Sequence, residues 1–337
     1  MVMLNYDYHQ PMSFRLVNPD ADHIPYDQAE LSPLQDLNID YVARACRTED
    51  EVVGMCADAD AMVTSWVQVR GKAIAAMPRC RVIARIGTGF DNVDVEAAGA
   101  AGIPVTNVPD FCTEEVANHA IMLLLNCARD FYRLDGIVRR GGWDWKSLKD
   151  SPRISTQTLG LVGFGAIGRA VAVRAEALGF KIIFFDPFYS PVPDAPPARA
   201  CDSLEHLLES SDYVSLHPPL TPQTRGLIGI EQFKHMKRSA VLINTSRGSI
   251  VVEKDLVTAI EQGLIRGAGI DVFDPEPPPA DHPLFTADNV VFSPHSASRS
   301  REALTEVRRL GLEEIERALR GQPLLNVVNR KHLTDRT

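Results

Sequence analysis

The hydrophobic positions of this chain alternate between short continuous runs and stretches with helical spacing. Apolar runs with the length of buried strands occupy residues 14–17, 61–64, 81–86 and 103–105. Helical segments lie between them, and the first begins with a capping box, because Thr48 and Glu51 can each bond the other's backbone N–H. Alternating strands and helices predict a parallel sheet that is covered on both faces.

The clearest pattern lies between residues 158 and 186, where a strand, a glycine turn, a helix and a second strand follow one another. Gly163 permits a tight turn, Gly165 leaves room for a pyrophosphate, and Gly168 lets the helix pack closely against the strand. The helix N-terminus offers N–H groups to phosphates, and Asp186 can accept hydrogen bonds from a ribose diol. This context, more than the three glycines alone, predicts a dinucleotide-binding unit.

The same rhythm continues after Asp186. Further strands are predicted over residues 213–216, 240–244 and 268–270, and helices near residues 203–208 and 253–262. A last helix is predicted over residues 299–320, closed by Gly321. Residues 111–297 are therefore predicted to form one complete nucleotide-binding domain.

The segment that precedes this domain's first strand predicts one long helix, which Thr113 can N-cap and Gly141 ends. His119 on this helix is interpreted as a packed or hydrogen-bonded histidine rather than as a catalyst. Trp143 and Trp145 follow the helix and fit either the core or a subunit contact. We favour the subunit contact.

Composition and charge limit the partners that the protein can have. The net charge of −9 argues against a nucleic-acid-binding surface. No apolar run approaches the ~20 residues of a membrane span, and the N-terminus has no signal-peptide core. The six cysteines are scattered without a C-x-x-C pair, which is typical of reduced thiols. We therefore expect a cytoplasmic protein that has a small-molecule substrate and contacts neither nucleic acid nor membrane.

Chemically useful side chains follow several of the predicted strands, where ligands collect in open α/β sheets. NTSRGS (244–249) supplies an arginine that can clamp a carboxylate, and SPHSAS (293–298) supplies a histidine that can donate a proton. DVFDPEPP (271–278) supplies acids that can orient that histidine and stabilise its charge. Each segment alone is equally compatible with a purely structural role, but together they indicate hydride transfer. RIGTGFDNVD (85–94) fits an anion-binding turn or an ordinary turn.

These motifs together resemble those of the NAD-dependent D-isomer-specific 2-hydroxyacid dehydrogenases. The resemblance covers about residues 60–329 and depends on the order of RIGTGFDNVD, GLVGFGAIGRAVA, FFDP, HPPLTPQTRGLI, INTSRGSIV, GAGIDVFDPEPP and SPHSAS. It implies an α/β fold with two doubly wound parallel-sheet domains, in which a Rossmann NAD-binding domain is inserted in a flavodoxin-like substrate domain. The substrate domain would comprise residues 1–110 and 298–337, and the NAD-binding domain residues 111–297. A homodimer built on the long helix is also implied.

The resemblance further implies a set of site residues, with NAD as cofactor and no metal. Arg247 would bind the substrate, His295 would be the acid/base, and Glu276 would be its partner. The cofactor contacts would be Thr88, Gly163, Gly165, Ala166, Ile167, Gly168, Asp186, Pro218, Thr245, Ser246 and Asp271. The substrate contacts would be Gly87, Thr88, Gly89 and Arg247. The expected reaction is reduction of a 2-keto acid to a D-2-hydroxy acid, or its reverse, on a glyoxylate/hydroxypyruvate- or phosphoglycerate-like substrate.

A second resemblance keeps an alternative open. Parts of the chain also resemble the C-terminal-binding-protein branch, which binds NAD but works mainly as a transcriptional partner. That branch has a tryptophan soon after its active-site histidine, where this chain has Arg299, and a frequent acid of the family is Asn118 here. An NAD-sensing interaction protein with weak dehydrogenase activity is therefore the alternative. Glu276 argues against formate-type dehydrogenases, which pair the histidine with glutamine.

Overall fold

The structure, a computed structural model, describes residues 13–148 and 151–333. The chain divides into two compact units. The first comprises the residues up to Phe111 together with those from Arg301 onward, and the second comprises Cys112–Ser300. Each unit contains one parallel sheet with helices, so the predicted α/β fold class is confirmed.

The strands predicted from the hydrophobic pattern are present in the predicted order, and the strands at residues 39–43, 199–200 and 290–292 and the helix at residues 230–235 were not predicted. The strands are β1 (Phe14–Asn18), β2 (Ile39–Ala43), β3 (Ala61–Thr64), β4 (Ile83–Arg85), β5 (Val105–Thr106), β6 (Thr158–Val162), β7 (Lys181–Phe185), β8 (Arg199–Ala200), β9 (Tyr213–Leu216), β10 (Val241–Asn244), β11 (Gly267–Ile270) and β12 (Val290–Phe292). The helices are α1 (Glu49–Cys56), α2 (Gly71–Ala75), α3 (Val95–Ala100), α4 (Thr113–Ala128), α5 (Phe131–Arg139), α6 (Ala166–Ala177), α7 (Leu204–Ser210), α8 (Ile230–His235), α9 (Glu253–Glu261) and α10 (Arg301–Leu319). Within the described ranges, none of these helices is long and apolar enough to cross a membrane.

The first unit has the strand order β2-β1-β3-β4-β5, and all of its strand pairs are parallel. This is the flavodoxin-like order. The sheet is apolar on both faces, and β3 is buried along its whole length. One face packs against α10 through side chains that include Val307, Leu312 and Ile315, and the other packs against α1, α2 and α3.

The second unit has the strand order β12-β11-β10-β9-β6-β7-β8, again with only parallel pairs among its strands. The order reverses at β6, so β6 and β9 form the switch point at which ligands bind in doubly wound sheets. Helices α4 and α6 pack together over one face and bury Leu123, Leu124 and Val171. Helices α7, α8 and α9 cover the other face.

The prediction of one long helix over residues 113–140 is wrong. Helix α4 ends at Ala128, and α5 begins at Phe131, because Asp130 adopts a left-handed backbone with φ 47°. Aspartate tolerates this conformation better than most residues. The N-cap prediction is also wrong, since Cys112 takes the N-cap position and Thr113 is already helical. The Thr113 hydroxyl, which is buried, has no hydrogen-bond partner among the described residues.

Candidate active site

The glycine turn after β6 has the shape that a dinucleotide requires. Gly163 has φ 88°, and a Cβ there would lie 2.9 Å from the backbone of His217. A Cβ on Gly168 would lie 2.4 Å from the Gly163 carbonyl oxygen, so the helix packs tightly on the turn. At Gly165 no heavy atom of the described chain lies within 4 Å of the Cβ position. Helix α6 starts at the next residue without a side-chain cap, so its first N–H groups face this open space and can bind phosphates.

Asp186 stands at the end of β7, beside this turn. Its Oδ2 accepts a hydrogen bond of 2.9 Å from the Phe164 N–H, and its Oδ1 accepts one of 2.9 Å from the Phe188 N–H. Both bonds fix the carboxylate next to the glycine turn. The following residues Pro187 and Phe188 bring no cation to this place.

The loops after β9 and β10 are joined by hydrogen bonds around a buried asparagine. The Asn244 amide donates to the Arg247 carbonyl oxygen at 2.9 Å, and its oxygen accepts from the Ser246 N–H at 3.1 Å. The Ser246 hydroxyl donates to the Pro218 carbonyl oxygen at 2.5 Å. The hydroxyl of Thr245 is buried without a partner in the described part of the chain. An unsatisfied hydroxyl beside the switch point fits a polar ligand.

Arg247 is half-buried, and its Nη1 donates to the Ser246 carbonyl oxygen at 2.8 Å. The backbone of the neighbouring Gly248 lies close against the loop after β11, since a Cβ there would lie 2.1 Å from the Phe273 carbonyl carbon. This close approach, which only glycine permits, brings the arginine loop against the loop that carries Asp271 and Glu276.

The predicted catalytic pair is in direct contact. His295 Nδ1 lies 2.6 Å from Glu276 Oε2, and the two side chains are 26% and 25% exposed. Glu276 is held from its other side by the Phe273 N–H, which donates to Oε1 at 2.9 Å. His295 has a left-handed backbone with φ 48°, and its N–H donates to the Asp271 carbonyl oxygen at 2.7 Å. The arrangement can hold a protonated imidazole in one orientation.

Asp271 is buried, and its carboxylate accepts hydrogen bonds from the Ser293 hydroxyl and from the N–H groups of Ser296 and Ala297. Burial alone would raise the pKa of its carboxyl group, but the nearby His119 side chain and these three hydrogen bonds outweigh burial and lower the pKa to about 2. The carboxylate is therefore ionised at any physiological pH.

The remaining predicted residues lie in the first unit, in the loop after β4. Gly87 has φ 146°, and the Arg85 guanidinium occupies the position that a Cβ would take. The Thr88 hydroxyl donates to the Pro109 carbonyl oxygen at 3.1 Å, and the Thr88 carbonyl oxygen accepts from Asn107 Nδ2 at 2.7 Å. These bonds hold the backbone of Thr88 and Gly89 at the carboxyl edge of this unit's sheet.

Several polar residues of the second unit were not predicted to belong to the site. Burial lowers the pKa of His217 to about 4, and its buried Nε2 has no partner among the described atoms. His282 is buried with Nε2 2.7 Å from Glu253 Oε1, behind the Glu276 loop. Ser293 bonds both His119 and Asp271. His217 and Ser293 follow strands directly, which is the sequence signal that could have identified them, whereas His282 has no such signal.

Three features of this site indicate the class of protein. They are the glycine turn at the switch point, the acid after the second strand of the glycine-turn unit, and the arginine, histidine and glutamate at neighbouring strand ends. These features are typical of oxidoreductases that bind a nicotinamide dinucleotide for hydride transfer.

Comparison with known proteins gives the family. The family described as "D-isomer specific 2-hydroxyacid dehydrogenase, NAD binding domain" matches residues 121–297. The chain is 40% identical over 278 residues to a glyoxylate reductase of Korarchaeum cryptofilum, covering 81% of this chain and 84% of that one. It therefore belongs to the D-isomer specific 2-hydroxyacid dehydrogenase family.

Two further relatives give the extent of the likeness. A D-3-phosphoglycerate dehydrogenase of Methanocaldococcus jannaschii is 39% identical over 284 residues, which cover 84% of this chain but only 54% of that relative. The chain thus spans about half the length of that enzyme. The structure of a glyoxylate reductase from Paecilomyes thermophila superposes with a TM-score of 0.86 at 29% identity, covering 95% of this chain and 99% of that one.

Proposed function

We propose that the protein reduces a small 2-keto acid to the D-2-hydroxy acid with NADH, or catalyses the reverse reaction. The observation that carries the proposal is the 2.6 Å contact between His295 and Glu276 at the carboxyl edge of a dinucleotide-binding sheet. The reductase names of the relatives support a small 2-keto acid such as glyoxylate as the substrate.

Three side chains have assigned roles in this proposal. Arg247 binds the substrate carboxylate, for which the planar guanidinium is suited because it can donate two parallel hydrogen bonds. His295 engages Glu276 through Nδ1, so Nε2 is the atom that gives a proton to the developing alkoxide or removes one from the hydroxyl. Glu276 stabilises the charged imidazole and fixes its orientation.

The proposed reaction is balanced in protons and electrons with these residues and the cofactor. In the reducing direction the substrate carbon gains a hydride, its carbonyl π electrons move to the oxygen, and that oxygen takes the proton from His295 Nε2. The bound nicotinamide supplies or accepts the hydride. His295 is left neutral and regains its proton from solvent before the next turnover.

The chain's own residues fit a dinucleotide, and we propose NAD rather than NADP. The open space at Gly165 and the uncapped start of α6 suit the pyrophosphate, with Ala166 and Ile167 supplying N–H groups. The Asp186 carboxylate suits a ribose diol and would repel a 2′-phosphate. Pro218, Thr245, Ser246 and Asp271 are proposed to line the ribose and nicotinamide.

The wider assignments are also proposals. The first unit is proposed as the substrate domain, with Gly87, Thr88 and Gly89 as ligand contacts. A homodimer through the α4–α5 region is supported by Trp143 and Trp145, which are 85% and 70% exposed. A cytoplasmic location is supported by the six cysteines, which are all buried free thiols rather than members of disulfides.

A turnover screen with NADH tests the proposal. Glyoxylate, hydroxypyruvate, phenylpyruvate and 3-phosphohydroxypyruvate are offered to the unmodified protein and to Arg247→Lys, with Arg199→Lys on an exposed edge strand as the control. We expect turnover of at least one acid, a loss of 10-fold or more in kcat/KM for Arg247→Lys because lysine lacks the planar fork, and no change for the control. Tight NADH binding without turnover of any acid would instead favour the NAD-sensing interaction protein.

A further inference from the structure

Three side chains from separate elements of the second unit form a hydrogen-bonded chain. His119 Nε2 on α4 lies 2.7 Å from the hydroxyl of Ser293, which follows β12. That hydroxyl donates to Asp271 Oδ1, after β11, at 2.5 Å. A serine hydroxyl has one proton, and an ionised carboxylate only accepts, so the hydroxyl must accept from a protonated His119 Nε2. The direction of the chain is thus fixed from His119 to Asp271.

The far end of this chain holds the backbone around His295. Asp271 Oδ1 also accepts from the Ser296 N–H at 2.9 Å, and Oδ2 accepts from the Ala297 N–H at 3.0 Å. The Asp271 carbonyl oxygen accepts from the His295 N–H. Asp271 therefore binds three consecutive N–H groups of the loop.

The conformation of this loop depends on such support. His295 has φ 48°, a left-handed conformation that residues other than glycine adopt rarely and that persists only where the surrounding structure holds it. The Glu276 contact alone fixes the ring, not the backbone from which the ring projects. The Asp271 carboxylate can hold that backbone only while its own rotamer is fixed, and the Ser293 hydroxyl is the side chain that binds it most closely.

We infer that His119 is a positioning residue of the active site, which acts through the Ser293 hydroxyl to fix the Asp271 carboxylate and thereby the His295 loop. The inference rests on the proposed role of His295. His119 lies 3.4 Å from Asp271 Oδ1 and its side chain is 16% exposed, so it also shields the carboxylate. The low pKa of Asp271, to which His119 and Ser293 contribute, agrees with this arrangement.

Paired variants test the inference. His119→Ala and Ser293→Ala each remove one link, and we expect kcat to fall about 10- to 100-fold because the acid/base is displaced by a fraction of an ångström to 1 Å. The keto-acid KM should change less than about 3-fold. His119→Gln keeps an N–H donor and Ser293→Thr keeps the hydroxyl, so both should recover most of the activity. The double alanine variant should be no worse than the worse single one, because both break the same chain.

A second readout does not depend on catalysis. Hydrogen exchange of peptides covering residues 293–300 in the protein without added cofactor should become faster in both alanine variants and not in the conservative ones. His235→Ala is the matched control, since His235 pairs with Glu209 at 2.9 Å on the surface of the same unit. It should change neither kcat nor the exchange of this segment.

The outcomes separate the inference from the proposed function. If His119→Ala keeps full kcat and unchanged exchange while His295→Ala is inactive, the inference is overturned and the proposed function stands. If His295→Ala retains full turnover, the role proposed for His295 fails and the inference fails with it. If the unmodified protein turns over no keto acid, the proposed function fails. If His119→Ala raises exchange throughout the second unit and His119→Gln restores nothing, His119 serves the core alone and the inference is again overturned.

Discussion

Replacing Asp271 by asparagine tests how much stability the buried carboxylate contributes. The pKa is lowered from its ordinary value of 3.8 to about 2, and this difference corresponds to about 2 kcal/mol of folding free energy at neutral pH. Asparagine keeps the shape but turns an NH₂ group toward the Ala297 N–H, where Asp271 Oδ2 now accepts. An unsatisfied buried donor costs about 1–3 kcal/mol, so the expected loss at pH 7 is about 2–3 kcal/mol.

The pH dependence has a definite sign. A carboxyl group with a lowered pKa in the folded state stabilises that state above its unfolded pKa, and the contribution is lost as the pH falls through the folded pKa. From pH 7 to pH 5 the stability difference between Asp271→Asn and the unmodified protein should therefore be constant. At pH 3 about half of the carboxylate's contribution should remain, and the difference should shrink accordingly.

The assay is urea unfolding of the protein without cofactor. Unfolding is monitored by hydrogen exchange of peptides from residues 112–300, so that the second unit is measured by itself. Asp281→Asn is the control, since Asp281 is exposed in the same region and should change the stability by less than about 0.5 kcal/mol. A difference of the full size that does not change between pH 7 and pH 3 would refute the electrostatic account and leave only a packing effect.

Three further predictions follow from contacts in the site. Glu276→Gln replaces the carboxylate that contacts His295 Nδ1 by an uncharged amide, so kcat for keto-acid reduction should fall at least about 10-fold in initial-rate assays; an unchanged kcat would exclude Glu276 as the partner. Asp186→Ala should narrow the preference for NADH over NADPH measured by kcat/KM, and equal values in the unmodified protein would contradict the NAD assignment. Gly248→Ala would place a Cβ 2.1 Å from backbone, so it should lower stability by at least about 2 kcal/mol in thermal melts, whereas Gly54→Ala in α1, with open space around it, should be neutral or stabilising.

The elements that the sequence predicts best are those in which local pattern and burial agree. The run at β3 is buried on both faces, so its apolar residues mark the strand directly. The capping box at the start of α1 forms as predicted, with Glu51 Oε2 accepting from the Thr48 N–H. The glycine turn is recognisable because Gly163 and Gly168 each lie where a Cβ would meet backbone, while Gly165 leaves open space for a ligand.

The break between α4 and α5 could not be predicted, because the apolar spacing continues across it. Phe131 extends the hydrophobic pattern of α4, yet it is 59% exposed and no residue of α5 is buried. A periodic pattern does not distinguish a buried face from an exposed one. The turn at Asp130 depends on one backbone conformation that several polar residues can adopt.

The hydrogen-bonded chain from His119 to Asp271 could not be predicted for a different reason. His119 and Ser293 are 174 positions apart, and each alone has ordinary structural uses. Their contact depends on α4 packing next to β11 and β12, which is a property of the whole sheet. Asp271 was assigned through the family resemblance, but the hydrogen bonds that its carboxylate accepts come from the Ser293 side chain and from two loop N–H groups that no local motif specifies.

At three strand ends of the second unit, an Asn or Asp side chain forms hydrogen bonds with loop backbone and so orders the site. Asn244 ends β10, Asp271 follows β11 and Asp186 follows β7, and each directs its side chain to backbone groups of a loop. In a parallel sheet the loop that follows a strand has lost its ladder partners, so a short polar side chain can replace them. The three side chains order the loops that carry Arg247, His295 and the glycine turn. The functional groups are therefore positioned by hydrogen bonds to backbone rather than by their own packing, and a substitution that keeps the volume of an Asn or Asp but exchanges donor for acceptor should disturb the site as well as lower the stability.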